Sequence, residues 1–301
     1  IYADLFIDKL SGVDTKSNKI TLNGIKGHLS SDDISQHTAF ELYAEGTSIS
    51  NQQTSLNIAG SLEKGFSETG SLNRHDLSLN FDATLTNLPL PLMCQFVCPD
   101  PSIAQKIDAT IGSTFNANIK ANFQQMNGPL YIEMRGDHGH TILDGRLYQG
   151  ALTLNKNFYA ELIVTPQLGK HVLQDLIPFL SGIMGSDQPL KLTIAKEGFS
   201  LPLRQLDIEN VSIGSASLEF GKVRFSNDGQ LAKVLSLLTT ASANEIMVWL
   251  TPAYFSLNQG EFVLQRVDML ISDRYPIAAW GRVSIPNDNV NMIIGLSGAA
   301  I

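Results

Sequence analysis

Charge is scarce in this sequence. Only 17% of its 301 residues are Asp, Glu, Lys or Arg, against about 25% in ordinary globular chains. The 21 basic residues are outnumbered by 29 acidic ones, for a net charge of −8. With no Lys/Arg cluster, that balance argues against a nucleic-acid partner. Cysteine is scarcer still. The two thiols, Cys94 and Cys98, cannot build a disulfide framework. Their CxxxC spacing is neither a redox CxxC nor half of a paired zinc site, so two packed thiols on one helical face are expected. Gly and Pro, 24 and 12 residues, sit at the usual level, which excludes collagen-like and low-complexity chains. No run of 18 apolar residues exists to span a membrane as a helix, and no signal peptide is present. Nucleophile elbow, P-loop and dinucleotide fingerprint are all missing.

What is present is alternation. Hydrophobic residues make up 43% of the chain, and they recur at every second position. Leu77–Leu85, Phe115–Phe123, Leu130–Met134, Ala160–Val164, Leu190–Ile194, Leu218–Phe220 and Ile277–Ile285 all follow this pattern. Side chains of a strand point alternately to its two faces, so period 2 marks strands with one hydrated face. The partner positions are mostly Ser, Thr, Asn, Glu or Lys, as in antiparallel sheets with one wet side. Turn signals separate the runs: Asn23-Gly24, Asn127-Gly128-Pro129, Asp144-Gly145, Gln149-Gly150, Glu197-Gly198, Asp228-Gly229 and Gln259-Gly260. About fifteen strands are predicted by these signals.

Three stretches break the alternation and read as short helices. One runs from Pro89 to Ile111 with a break at Pro99-Asp-Pro101, Ser102 as N-cap and Gly112 as stop. Another covers Leu168–Met184 with a kink at Pro178, and a third covers Gly229–Ala241. No linker-like segment divides the chain, so residues 1–301 read as one continuous β-rich body. A chain that opens on Ile1 and stops on the apolar run Met292–Ile301 reads as a fragment of a longer protein.

Little of this looks catalytic, and the reading is non-enzymatic. Asp137-His138-Gly-His140, with Asp144 nearby, is the densest ligand-type cluster. Histidines at i and i+2 on a strand share a face, but no third ligand of matching spacing accompanies them. A polar turn is expected there, with neither metal nor cofactor. His28, His37, His75 and His171 are scattered. Arg266 and Asp268 share a strand face as an exposed charge pair, worth under about 1 kcal/mol.

The quantity of apolar strand surface is more informative. Either the sheet folds on itself as a β-sandwich, or it stays a long, curved, twisted antiparallel sheet whose apolar face forms an open trough. Period alone puts Leu79, Phe81, Phe115, Ile119, Leu130, Ile132, Met134, Leu162, Val164, Leu192, Ile194, Leu218, Phe220, Val267, Met269, Ile271, Val283 and Ile285 on the dry face. In a trough, a carboxylate at Ile132 or Phe220 leaves the fold largely intact. In a sandwich it does not.

The order of strand signatures is itself familiar. Leu257-Asn-Gln-Gly260-Glu-Phe-Val-Leu-Gln-Arg266-Val-Asp268-Met-Leu leads to Ile277-Ala-Ala-Trp280-Gly281-Arg-Val-Ser-Ile285 and then Asn291-Met-Ile-Ile-Gly-Leu296. With Asn87-Leu-Pro89, Gly128-Pro-Leu-Tyr-Ile-Glu-Met and Val164-Thr-Pro166-Gln-Leu-Gly169, residues 80–301 resemble the AsmA-like bacterial envelope proteins, which include the TamB-like ones. The resemblance implies a β-groove of the bridge-like lipid-transfer kind, anchored in the inner membrane by a segment outside this sequence and crossing the periplasm. It implies phospholipid or another acyl lipid as ligand, transport toward the outer membrane in outer-membrane biogenesis, and other envelope proteins as partners. It carries no catalytic residues. The alternative is a structural or adhesive β-rich envelope module, its apolar face buried in a sandwich.

Overall fold

The computed structural model describes residues 1–13, 19–47, 53–67, 71, 76–90, 101–173, 182–203, 207–226, 245–287 and 289–296. Cys94, Cys98, His75, Asp228-Gly229 and the Gly229–Ala241 helix lie outside them, as does most of the Pro89–Pro101 stretch. The fold is mainly β, an antiparallel sheet that is not closed. The chain divides into two compact units, Ile1–Ala104 with Ile111–Lys156, and Gln105–Thr110 with Asn157–Ile301.

The first unit is an up-and-down meander of nine strands: β1 (Tyr2–Val13), β2 (Lys19–Asp33), β3 (His37–Thr47), β4 (Gln53–Glu63), β5 (Ser78–Pro89), β6 (Thr114–Phe123), β7 (Gly128–Gly136), β8 (Gly139–Tyr148) and β9 (Ala151–Leu154). Each pairs antiparallel with the next. Residues 1–80, which lack a distinctive signature, hold four of the longest strands. Helix α1 (Pro101–Ile111) connects β5 to β6. It starts one residue before Ser102, so Ser102 lies inside it rather than at its cap, and it ends where Gly112 turns to φ +105.

Two expected turns are strand interiors instead. Asn23-Gly24 lies within β2, where the β2–β3 register shifts between Asn23 and Lys26. Gly24, at φ +57, makes a bulge rather than a hairpin. Asp144-Gly145 lies within β8, paired to Tyr131 and Leu130. Its glycine is needed for close approach, since a Cβ there would meet the Thr153 carbonyl oxygen at 2.6 Å. The true turn before Gly128 uses Gln125 and Met126, both at positive φ.

In the second unit β10 (Phe158–Leu162) is followed by helix α2 (Pro166–Leu168), whose cap Thr165 accepts from the Leu168 N–H at 3.1 Å. A π-turn, Gly169–Leu173, extends it. The helix expected over Leu168–Met184 does not reach Met184, and the kink expected at Pro178 lies outside the described residues. Ile183 and Met184 belong to a strand, β11 (Ile183–Ser186), because a short apolar run does not itself distinguish helix from strand. Then come β12 (Leu190–Ile194), β13 (Leu201–Pro202), a 3-10 turn at Ile208–Asn210, β14 (Ile213–Glu219), β15 (Gly221–Ser226), β16 (Glu245–Leu250), β17 (Ala253–Asn258), β18 (Glu261–Ile271), β19 (Tyr275–Ser284) and β20 (Asn289–Leu296).

Several of these are halves of longer strands. β14 and β15 are interrupted at Phe220, and β16 and β17 at Thr251-Pro252. β14 pairs with β17 and β15 with β16. A proline has no N–H for the ladder, which is a reason for the break at Pro252. β18 bulges between Leu264 and Val267 and so serves both halves, pairing with β17 before the bulge and β16 after it. The main core lies on the β11–β15–β16 side. There Val164, Leu168 and Leu173 of the helical segment pack with Ile183, Leu190, Phe220, Val223, Phe225, Ile246, Val248, Ile271 and Ile277.

Candidate functional site

The register of the first unit turns separate alternating strands into one surface. Paired residues run without a gap through Ala3, Leu29, Phe40, Gly60, Phe81, Ala121, Leu130, Gly145 and Leu154, one residue from each of nine strands. The adjacent row on the same face is Leu5, Gly27, Leu42, Ile58, Ala83, Ile119, Ile132 and Leu143. Eight interstrand steps of about 4.8 Å make the floor roughly 38 Å long across the strands.

Large and small residues alternate along these rows, and the small ones have a steric role. A Cβ on Gly60 would meet the Phe40 ring at 2.5 Å. Without one, Phe40 and Phe81 approach over it, ring centroids 6.5 Å apart.

Burial is graded across this face. Ala83, Leu85, Leu88, Ala117 and Phe115 are buried. Phe40, Leu42, Ile58, Leu79, Phe81, Ile119, Leu130, Ile132, Met134 and Leu143 are only half-buried. One small cluster closes part of it, where Ala121, Phe123 and Leu147 pack with Leu79, Phe81, Met126 and Leu130. All seven sequence-selected residues of this unit, Leu79, Phe81, Phe115, Ile119, Leu130, Ile132 and Met134, share the face. The period also holds in Phe40–Ala44 and Leu56–Leu62, so Phe40, Leu42, Ile58 and Leu62 were within reach of the same signal.

In the second unit the sequence-selected residues divide. Leu192, Ile194 and Val283 are half-buried on one face, outside the closed core. A row there runs Phe158, Ile194, Ala216, Phe255, Leu264, Gly281, Met292, with Phe255 and Phe262 in ring contact at 5.2 Å. Val164, Phe220 and Ile271 instead lie inside the closed core under the helical segment, with Leu162, Leu218 and Met269 packed against it. Val267 is buried too. Ile285 lies beyond β19 and is exposed. Phe262 and Leu264 were missed because the β18 bulge shifts the period by one residue, and Phe255 on β17 was missed with no bulge to explain it.

The opposite face of the first unit is polar, and its carboxylates Glu133 and Asp144 are paired. Glu133 accepts from the Tyr131 hydroxyl at 3.0 Å and lies 3.4 Å from His140 Nε2. Tyr131, then His140, hold its carboxyl below the usual glutamate range, while Tyr131 is pushed up. Asp144 is lowered by Lys156, 2.9 Å away, and by Asn155. Neither carboxyl is tuned to retain a proton near neutrality, as a general acid must. His138 lies in the β7–β8 turn, its N–H on the Ile111 carbonyl oxygen, and His140 lies on β8, so the two do not form an i, i+2 pair on one strand. No group of three metal-ligating side chains occurs among the described residues. Arg266 and Asp268 form the exposed pair expected from their spacing, at 2.7 Å.

Chemically, the half-buried floor offers methyl, methylene and ring surface without directional hydrogen-bond donors. It suits a ligand of the same kind. No family model, curated protein or solved structure matches the chain.

Proposed function

We propose that this chain binds phospholipid acyl chains without catalysis and lets them move along an apolar β-sheet floor. The observation that carries the reading is the unbroken apolar row across nine strands of the first unit, with Phe40, Phe81 and Leu130 only half-buried. The hydrocarbon of one leaflet is about 15 Å thick, half of a ~30 Å bilayer core, so a ~38 Å floor is long enough for an acyl chain lying across the strands. Each methylene removed from water contributes at most about 0.8 kcal/mol. Because that term has no direction, neighbouring positions along the floor are nearly equivalent, which favours sliding over trapping. The polar headgroup stays in water beside the floor.

The likeness to AsmA-like and TamB-like sequences extends the proposal to transport between inner and outer membranes. On that likeness we propose a periplasmic location, a membrane anchor outside this sequence, and envelope proteins as partners. The closed core of the second unit supports a structural role for that part. The test is mass spectrometry of lipid extracted after detergent-free purification, on the parent and on Ile119→Glu. Phospholipid in the parent and its loss from a folded Ile119→Glu protein support the proposal. A parent free of lipid favours the structural module.

A further inference from the structure

We infer that the β2 bulge on the polar face of the first unit forms a second binding site, for a neutral saccharide. Two residues, Gly24 and Ile25, stand against Ala44 alone, because the register passes from Asn23↔Glu45 to Lys26↔Tyr43. Ile25 turns into the apolar face and is buried. Asn23 and Lys26 are thereby left on the same polar side, flanking a recess of about 630 Å³. Its other side chains are Tyr43, Glu45 and Gln53. Bulges of this kind re-aim side chains next to functional sites, and the volume is within the range of small-ligand pockets, roughly 300–1,000 Å³.

The lining selects the ligand by exclusion and by match. Among the described residues it has no Leu, Ile, Val or Met, and its apolar surface is the Tyr43 ring and the Lys26 methylenes, which is short for a whole acyl chain. Lys26, the cation among its described lining residues, is offset by the Glu45 carboxylate, so a strongly charged ligand of either sign meets a like charge. Two amides, an ammonium and a carboxylate supply both donors and acceptors, as the adjacent hydroxyls of a sugar require. Tyr43, 41% exposed, donates its hydroxyl to Glu45 and offers ring surface to the C–H face of a sugar. Phe6, paired with Lys26 across the β1–β2 ladder and 62% exposed, adds apolar surface beside it. The site lies on the face opposite the acyl floor and stands or falls independently of that reading.

The test is an amide-resolved NMR titration with maltose, cellobiose and lactose, and separately with sodium phosphate. Saturable shifts at Asn23–Lys26 and Tyr43–Gly46 with at least one disaccharide are expected, with a Kd in the millimolar range typical of weak sites, about 1–10 mM. Tyr43→Ala and Asn23→Ala should each weaken that binding at least about tenfold. Asn23 is exposed, so its variant keeps the test valid if Tyr43→Ala fails to fold. The inference is overturned if none of the three sugars gives a saturable shift. It is also overturned if Asn23→Ala leaves binding unchanged, or if phosphate shifts the same amides more strongly than any sugar.

Discussion

A carboxylate placed at Ile132 should be tolerated, and one placed at Val248 should not. Ile132 is half-buried in the middle of the floor, between Ile119 and Leu143. Fully burying such a side chain is worth about 1.5–3 kcal/mol, so Ile132→Glu forfeits roughly half of that, about 1 kcal/mol, while the new carboxylate stays hydrated. For a body of this size that lowers Tm by roughly 2–4 °C. Val248 is 1% exposed and packed between Val223 and Ile271. A carboxylate there has no water and no partner, and the cost rises above about 4 kcal/mol. That is a large part of a total stability of about 5–15 kcal/mol, so the cooperative transition of the second unit should be lost. Alternation alone puts Phe220 in the same class as Ile132. At 2% exposure within the core, Phe220→Glu should instead behave like Val248→Glu. Circular-dichroism melting of the three variants is the assay. An Ile132→Glu protein as damaged as the Val248→Glu protein would refute the reasoning, because it would mean the floor is covered.

Leu168, fully buried under the helical segment, should cost about 2–5 kcal/mol when cut to Ala, measured by urea denaturation. Gly128 has φ +155, and a Cβ there would meet the Asn122 carbonyl oxygen at 1.9 Å. Gly128→Ala should therefore destabilise by more than about 1 kcal/mol, read as a fall in the denaturation midpoint. Asp144, held low first by Lys156, contributes stability that is present above its unfolded pKa and lost as pH falls through its lower folded value. Lys156→Ala should therefore lower stability slightly at neutral pH, and the difference from the parent should vanish as pH falls through the Asp144 range, as followed by circular-dichroism melting at several pH values. Replacing both His138 and His140 with Ala should move stability by less than about 1 kcal/mol and leave metal content, measured by elemental analysis, the same as in the parent.

Strands such as Phe115–Phe123 and Leu130–Met134 were legible because each has a hydrated face, and hydration writes a period of 2 into the sequence. The glycines inside strands were not. Asn23-Gly24 and Asp144-Gly145 look like hairpin turns because a glycine that permits a positive φ and one that permits a close approach have the same one-letter record. The Gln125-Met126 turn carries no signal, since neither residue favours positive φ. Phe220, Val164 and Ile271 have the same alternation as Ile132. Among the described residues, the non-local packing of Leu168 and Leu173 distinguishes the closed core from the half-buried floor, and a local pattern does not encode that contact.

The most direct test of lipid binding places a benzophenone photo-cross-linker in turn at Leu130, Tyr131, Ile132, Glu133 and Met134, in protein purified without detergent. These five consecutive residues of β7 alternate between the apolar floor and the polar face. Lipid adducts are expected at 130, 132 and 134 and not at 131 and 133. Equal labelling at all five positions, or none at any, would contradict the account.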